Sequence, residues 1–132
     1  MGLDLSTTTD TVAKEDEGRV ITLYDERNEP YVDPATGEPI TALVVGTYSK
    51  RFKKAQAALQ ARQSRTGGRV TPEQQESTTR DLWAASVVMW DLVLGGDMAP
   101  PAKIFALKPH IYDQIVAAAG DHAAFFAPSL PS

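Results

Sequence analysis

Hydrophobic and polar positions change rhythm several times along the chain, and each change predicts an element. Residues 1–18, "MGLDLSTTTDTVAKEDEG", set few large apolar side chains among Thr, Asp and Glu and predict a disordered acidic tail. Apolar and β-branched residues then crowd into "RVITLYD" (19–25) and "ITALVVGTY" (40–48), two predicted strands. Prolines, an Asn and a Gly separate them in "ERNEPYVDPATGEP" (26–39). The tight bend is expected at Asp33-Pro34-Ala35-Thr36-Gly37, so the strands are expected to pair as an antiparallel hairpin.

Helical spacing takes over after Ser49, a residue suited to cap a helix from about 50 to 65. Its apolar face is narrow: Phe52, Ala55 and Leu59, with Ala58 beside them, while the rest is basic or amide. A second start is stronger, with Thr71 as cap, Pro72 at the first helical position and Gln74 completing a capping box. This helix is expected to run from 72 to about 90, polar in "EQQESTTRD" and apolar from Leu82 to Trp90. Gly95, Gly96 and Asp97 then turn the chain. Pro101 and Pro109 open two further helices, the second carrying Ile111, Ile115 and Ala118 on one stripe. The expected architecture is α+β: an N-terminal antiparallel β-hairpin packed against a bundle of about four helices. One domain spans 19–126, followed by a flexible C-terminal tail at 127–132.

Composition narrows the function classes. A chain of 132 residues can bury one modest core. With no cysteine, disulfides, thiolate metal sites and a cysteine nucleophile are excluded. No apolar run approaches the roughly 20 residues a membrane span needs, and the acidic start lacks the regions of a secretory signal, so no membrane partner is expected. The net charge of −4 is unevenly placed. Residues 1–47 hold 10 acidic and 3 basic side chains, a net of −7, while residues 50–69 hold seven cations and no acid, a net of +7.

Candidate chemistry is sparse. His110 with Asp113, and His122 beside Asp121, read as residues at helix ends. The cluster Asp25, Glu26, Glu29, Asp33 and Glu38 lacks the spacing of a calcium loop. The glycine pairs in "RTGGRVT" and "LGGDM" lack the lysine and strand context of a phosphate loop. Catalytic, metal-binding and cofactor residues are therefore expected to be none, and an enzyme is not expected. The basic helix "KRFKKAQAALQAR" is the main binding candidate, for an acidic protein partner, for the chain's own acidic segment, or for nucleic acid. A sequence pI near 5.1 disfavours the last.

In order and composition the chain resembles the tail assembly chaperones of long-tailed (siphovirus-type) bacteriophages and related prophages. The resemblance runs over about residues 20–126, through "DPATGEPITALVVG", "SKRFKKAQAALQAR" and "LWAASVVMWDLVLGGDMAPPAKIFALKPHIYDQIVAAAGDHAAFF". The family pattern has a Trp ending a helix, an apolar step, a Gly-Asp turn and a Pro-led helix. A helix with P-x-I-x-x-Q-I/V spacing and a terminal Asp-x-x-x-Phe follow. Trp90, Gly96, Pro109, Ile111, Gln114, Ile115, Asp121 and Phe125 match it. Ala99, Pro100 and Pro101 depart from it, standing where members carry a Ser or Thr cap followed by Pro-Glu-Asn.

The resemblance implies a non-enzymatic helper. Such a protein binds the tape-measure protein, keeps that long helix soluble and helps recruit the major tail (tube) protein. It works in the host bacterial cytoplasm and is absent from the mature virion. Self-association is left open. Partner contacts are expected at Phe52, Lys53, Leu59 and Arg62 on the basic helix and at Phe125 and Phe126 near the C-terminus. Changing Phe52 and Leu59 to Asp is then expected to abolish capture while sparing the fold. One alternative competes with that site, that Phe52 and Leu59 pack on the hairpin, and two compete with the function: a structural virion protein (tail or head–tail connector) and a small nucleic-acid-binding regulator.

Overall fold

A computed structural model describes residues 2–7, 10–65, 67 and 70–126. The chain is α+β: a small antiparallel sheet covered by helices. The expected C-terminal tail, 127–132, lies outside the described residues.

The expected disordered tail is corrected from residue 10 onward. Asp10 caps helix α1 (Thr11–Glu17), its carboxylate accepting from the amides of Val12 and Ala13. Gly18 ends it at φ 78. Strand β1 (Arg19–Thr22) pairs antiparallel with β2 (Thr41–Val44), Arg19 facing Val44 and Thr22 facing Thr41. The connection between them is itself ordered. Leu23 donates to Ile40 O, Tyr31 to Leu23 O and Ile40 to Tyr31 O. The tight bend falls where expected, with Gly37 N donating to Asp33 O and Gly37 at φ 74.

After β2 come α2 (Lys50–Arg65) and α3 (Pro72–Ala84). The capping box is present: Thr71 Oγ1 accepts from Gln74 N at 3.1 Å, and Gln74 Oε1 accepts from Thr71 N at 3.0 Å. The expected continuation of this helix to residue 90 is corrected. It ends at Ala84, and Val87–Trp90 form β3, paired antiparallel with β2, so the hairpin becomes a three-stranded sheet in the order β1-β2-β3. Ser86 closes the helix by donating its hydroxyl and its amide to Trp83 O, and its own carbonyl accepts from Val45 N. Two adjacent β-branched residues, Val87 and Val88, then favour the pleat over the helix.

A register irregularity at Leu43/Val44 matters for the core. Strict alternation would send Val87 and Trp90 to opposite faces. The bulge lets both turn inward, and both are buried while Val88 and Met89 between them are exposed. β4 (Val93–Leu94) and β5 (Asp97–Met98) form a hairpin on a two-residue turn, Gly95 at φ 64 and Gly96 at φ 91. Both values are positive, the signature of a type I′ turn. Then come α4 (Pro101–Leu107) and α5 (Pro109–Gly120), each opened by its proline. α4 has no side-chain cap, in keeping with the prolines at its start. A 3-10 turn, His122–Phe126, follows.

The core lies between the sheet's inner face (Leu23, Ala42, Val44, Val87, Trp90) and the helical side chains Ile104, Phe105, Ile111, Ile115, Ala118 and Ala119. Trp90 is its anchor. Its Nε1 donates to Ala99 O at 3.0 Å, and its ring meets Phe105 edge-on at 6.0 Å. Gln114 fastens α5 to the β1–β2 connection with a two-point amide clamp, accepting from Tyr24 N and donating to Tyr24 O, both at 2.8 Å. No helix among the described residues is long and apolar enough to cross a membrane.

Candidate functional site

The basic helix is built on a buried start. Ser49 is fully buried, and its Oγ accepts from Phe52 N at 3.2 Å. Two carboxylates from α1 meet the next amides: Glu15 Oε1 accepts from Tyr48 N at 3.0 Å and Asp16 Oδ1 from Lys50 N at 2.7 Å. Acidic groups belong at the positive end of a helix, where free N–H groups collect. The chain's own acidic segment thus docks on the basic helix, but on its backbone and only at its start.

The expected partner residues separate into two groups. Phe52 is 4% exposed and packs against Trp83 at 5.1 Å between ring centroids. Phe125 is 6% exposed and lies beneath the Arg19 guanidinium. Neither ring is offered to a partner, which corrects that part of the assignment. The physical reason is that Trp83 of α3 packs on Phe52 and Arg19 lies over Phe125. Leu59, on the same stripe as Phe52, is half-buried, while Lys53, Arg62 and Phe126 are exposed. Lys53 Nζ sits 5.9 Å above the Tyr48 ring. Arg51 is otherwise engaged, its Nε donating to Ala85 O at 2.7 Å and its Nη2 to Val87 O at 3.2 Å, which ties α2 to the α3–β3 turn.

A second surface was not legible in the residues taken one at a time. Val20, Leu43 and Met89 are cross-strand neighbours on the outer face of the sheet. Val20 is 66% and Met89 64% exposed. The hairpin extends this surface with Val93 and Met98, also exposed. A groove of ≈ 460 Å³ runs between Val88 and Met89 on one side and Met98, Pro100 and Pro101 on the other. A smaller one of ≈ 170 Å³ lies among Val20, Thr41, Leu43 and Met89. Met89 lines both, so the two join into one apolar strip rimmed by Arg51 and Asp91. Reading residues 87–90 as helix hid this strip. The available signals were the Val87-Val88 pair and a Gly-Gly turn flanked by apolar pairs.

A third cluster has polar chemistry. Glu15 is fully buried, and its Oε2 contacts His122 Nδ1 at 2.8 Å. His122 Nε2 lies 3.5 Å from Thr47 Oγ1, and the imidazole stacks on Tyr48 at 4.0 Å. Acid, imidazole and hydroxyl occur in the order of a catalytic relay. The hydroxyl contact is at the outer limit of a hydrogen bond, and the Tyr48 ring covers one face of the imidazole. We therefore read the set as a clamp that joins α1, the β2–α2 turn and the C-terminal 3-10 turn.

The acidic loop holds α5 in place. Glu26 Oε1 and Lys108 Nζ pair at 3.1 Å. Backbone donation from Glu29 holds the Asp25 carboxyl below the usual carboxylate range. A backbone amide bond and then the Lys108 hydrogen bond lower Glu26, while the bond to Glu26 raises Lys108. Burial pushes the Tyr31 phenol up. Among the described residues no group of three or more His, Asp or Glu side chains is arranged to hold a metal ion. Compared with models of known protein families, with curated proteins and with solved structures, the chain matches none.

Proposed function

We propose that this chain is a tail assembly chaperone of a long-tailed bacteriophage or prophage. It binds the tape-measure protein, keeps it soluble and helps recruit tube subunits in the host cytoplasm, without remaining in the finished particle. One observation carries the reading beyond the sequence resemblance: the apolar strip from Val20 through Leu43 and Met89 to Met98 and Val93. A folded chain that leaves these side chains on a sheet face and hairpin has a surface suited to another apolar surface. Two of the five are methionines, whose flexible thioethers adapt to varied partners. A protein that must hold a long amphipathic helix at many points needs such tolerance more than one exact fit.

The test is co-expression with a phage tape-measure protein. Met89→Asp with Met98→Asp is expected to release the tape-measure protein into the insoluble fraction while the far-UV spectrum of the chaperone is unchanged. Undiminished capture by a folded double variant overturns the strip as the binding surface. Finding the chain in purified particles by mass spectrometry favours a structural virion protein instead.

A further inference from the structure

The outer face of α2 gathers cations that no carboxylate among the described residues pairs with. Helical periodicity sets Phe52, which packs on Trp83 of α3, and Leu59 opposite Lys50, Lys54, Ala57, Ala58, Ala61 and Arg65. All six are exposed, and from Gln60 to Arg65 every residue is. Lys50, Lys53 and Lys54 stand at the helix start, where the dipole disfavours cations. Lys50 and Lys54 are also a like-charge pair at four-residue spacing. α2 carries no acid of its own, and Glu15 and Asp16 spend their carboxylates on backbone amides. Among the described residues none of Lys50, Lys54, Arg62 and Arg65 enters an ion pair.

We propose that this face docks an acidic helix of a partner protein. The inference rests on the proposed function and deepens it, by assigning acidic chemistry to one segment of the helical partner. The exposed alanines let a second helix approach closely, at an axial separation of about 8 Å. Lys50 and Lys54 near one end and Arg65 at the other then meet its carboxylates, with Arg62 on the flank. Nucleic acid fits less well. Phe52, the aromatic residue of α2, is buried, so no ring on this helix is offered to a base.

The test titrates the full chain, at low salt, against a fluorescein-labelled helical peptide with Glu on one face and Ala on the other. A short DNA duplex serves as the second polyanion. Peptide affinity is expected to fall about tenfold or more in Lys54→Gln/Arg65→Gln. A similar fall is expected in Ala61→Phe, which changes no charge and blocks only close helix approach. Absent peptide binding, unchanged affinity in either variant, or tighter binding of the duplex overturns the proposal. Capture of the tape-measure protein is read in parallel. A chain that captures it yet ignores the peptide overturns the α2 assignment alone. Peptide binding without capture overturns the proposed function alone.

Discussion

Glu15 and His122 stand 107 residues apart in sequence and 2.8 Å apart in space, Oε2 to Nδ1, the carboxylate fully buried. The contact closes the first helix onto the last turn and holds both over the start of α2. Gly46 makes room for it, since a Cβ there would coincide with the Glu15 carboxylate. Gly46→Ala is therefore expected to expel the Glu15 side chain and lower stability by about 1–3 kcal/mol. Urea unfolding measures the loss. Hydrogen exchange is expected to localise it to α1 and to the Tyr48 amide, and uniform loosening would contradict the clamp.

Phe52 and Lys53 are neighbours with opposite roles, one packed on Trp83 and one in solvent. Phe52→Ala is expected to cost about 3–5 kcal/mol as a large-to-small core change. Lys53→Ala or Arg62→Ala is expected to stay within about 0.5 kcal/mol. Phe52→Asp is likewise expected to unfold the chain, so any loss of partner binding in that variant reports folding, not contact. Thermal melts of the variants separate these cases. A Phe52→Ala protein as stable as the parent would mean the ring is not in the core.

The turn between β4 and β5 demands positive φ at both Gly95 and Gly96. Replacing either by Val forces a β-branched side chain into the left-handed region, at a cost of about 1–3 kcal/mol. Because the hairpin carries Val93 and Met98 into the apolar strip, the same variants are expected to weaken partner capture. Capture at full strength by a Gly96→Val chain with a disrupted hairpin would remove the hairpin from the binding surface.

The acidic loop supplies a pH window. The Asp25 and Glu26 carboxyls are lowered by folding, so their contribution is present above the ordinary carboxylate range, about pH 4, and is lost as pH falls through their folded values. Lys108 is raised, so its contribution is present below its ordinary value of about 10.4 and is lost as pH rises through the folded one. The attachment of the loop to α5 is expected to hold between these limits and loosen on either side. Amide exchange at residues of the 23–40 loop follows it, corrected for the intrinsic pH dependence of exchange. Lys108→Met should weaken the alkaline limb and leave the part due to the raised Tyr31 phenol, and Gln114→Ala should loosen the loop equally at all pH values.

Features whose causes are local were readable without coordinates. Thr71, Pro72 and Gln74 supply one another's hydrogen bonds, so the capping box needs nothing distant. Pro101 and Pro109 start their helices because a missing N–H costs nothing at a first turn. The bend at Asp33–Gly37 is likewise made by its own residues. The α+β class follows from two β-prone runs ahead of several helical ones.

The candidate surfaces were harder to read because their causes lie far along the chain. Val87–Trp90 is an apolar run that a helix or a strand can use equally well. The open edge of β2 decided for a strand, and the bulge at Val88 in β3 turned Trp90 inward and left Met89 in solvent. The segment 11–17 is polar enough to read as a tail, and it is held because Glu15 finds Tyr48 N and His122 across the fold. Phe52 and Phe125 are buried because Trp83 and Arg19 arrive to cover them. The sequence by itself determined where the capped and proline-led helices begin, where the chain turns at Asp33–Gly37 and Gly95–Gly96, and how its charge divides, since those depend on neighbours within a few residues. Only the tertiary structure decided which apolar side chains are covered and which face outward, because burial is a property of surfaces brought together from distant segments.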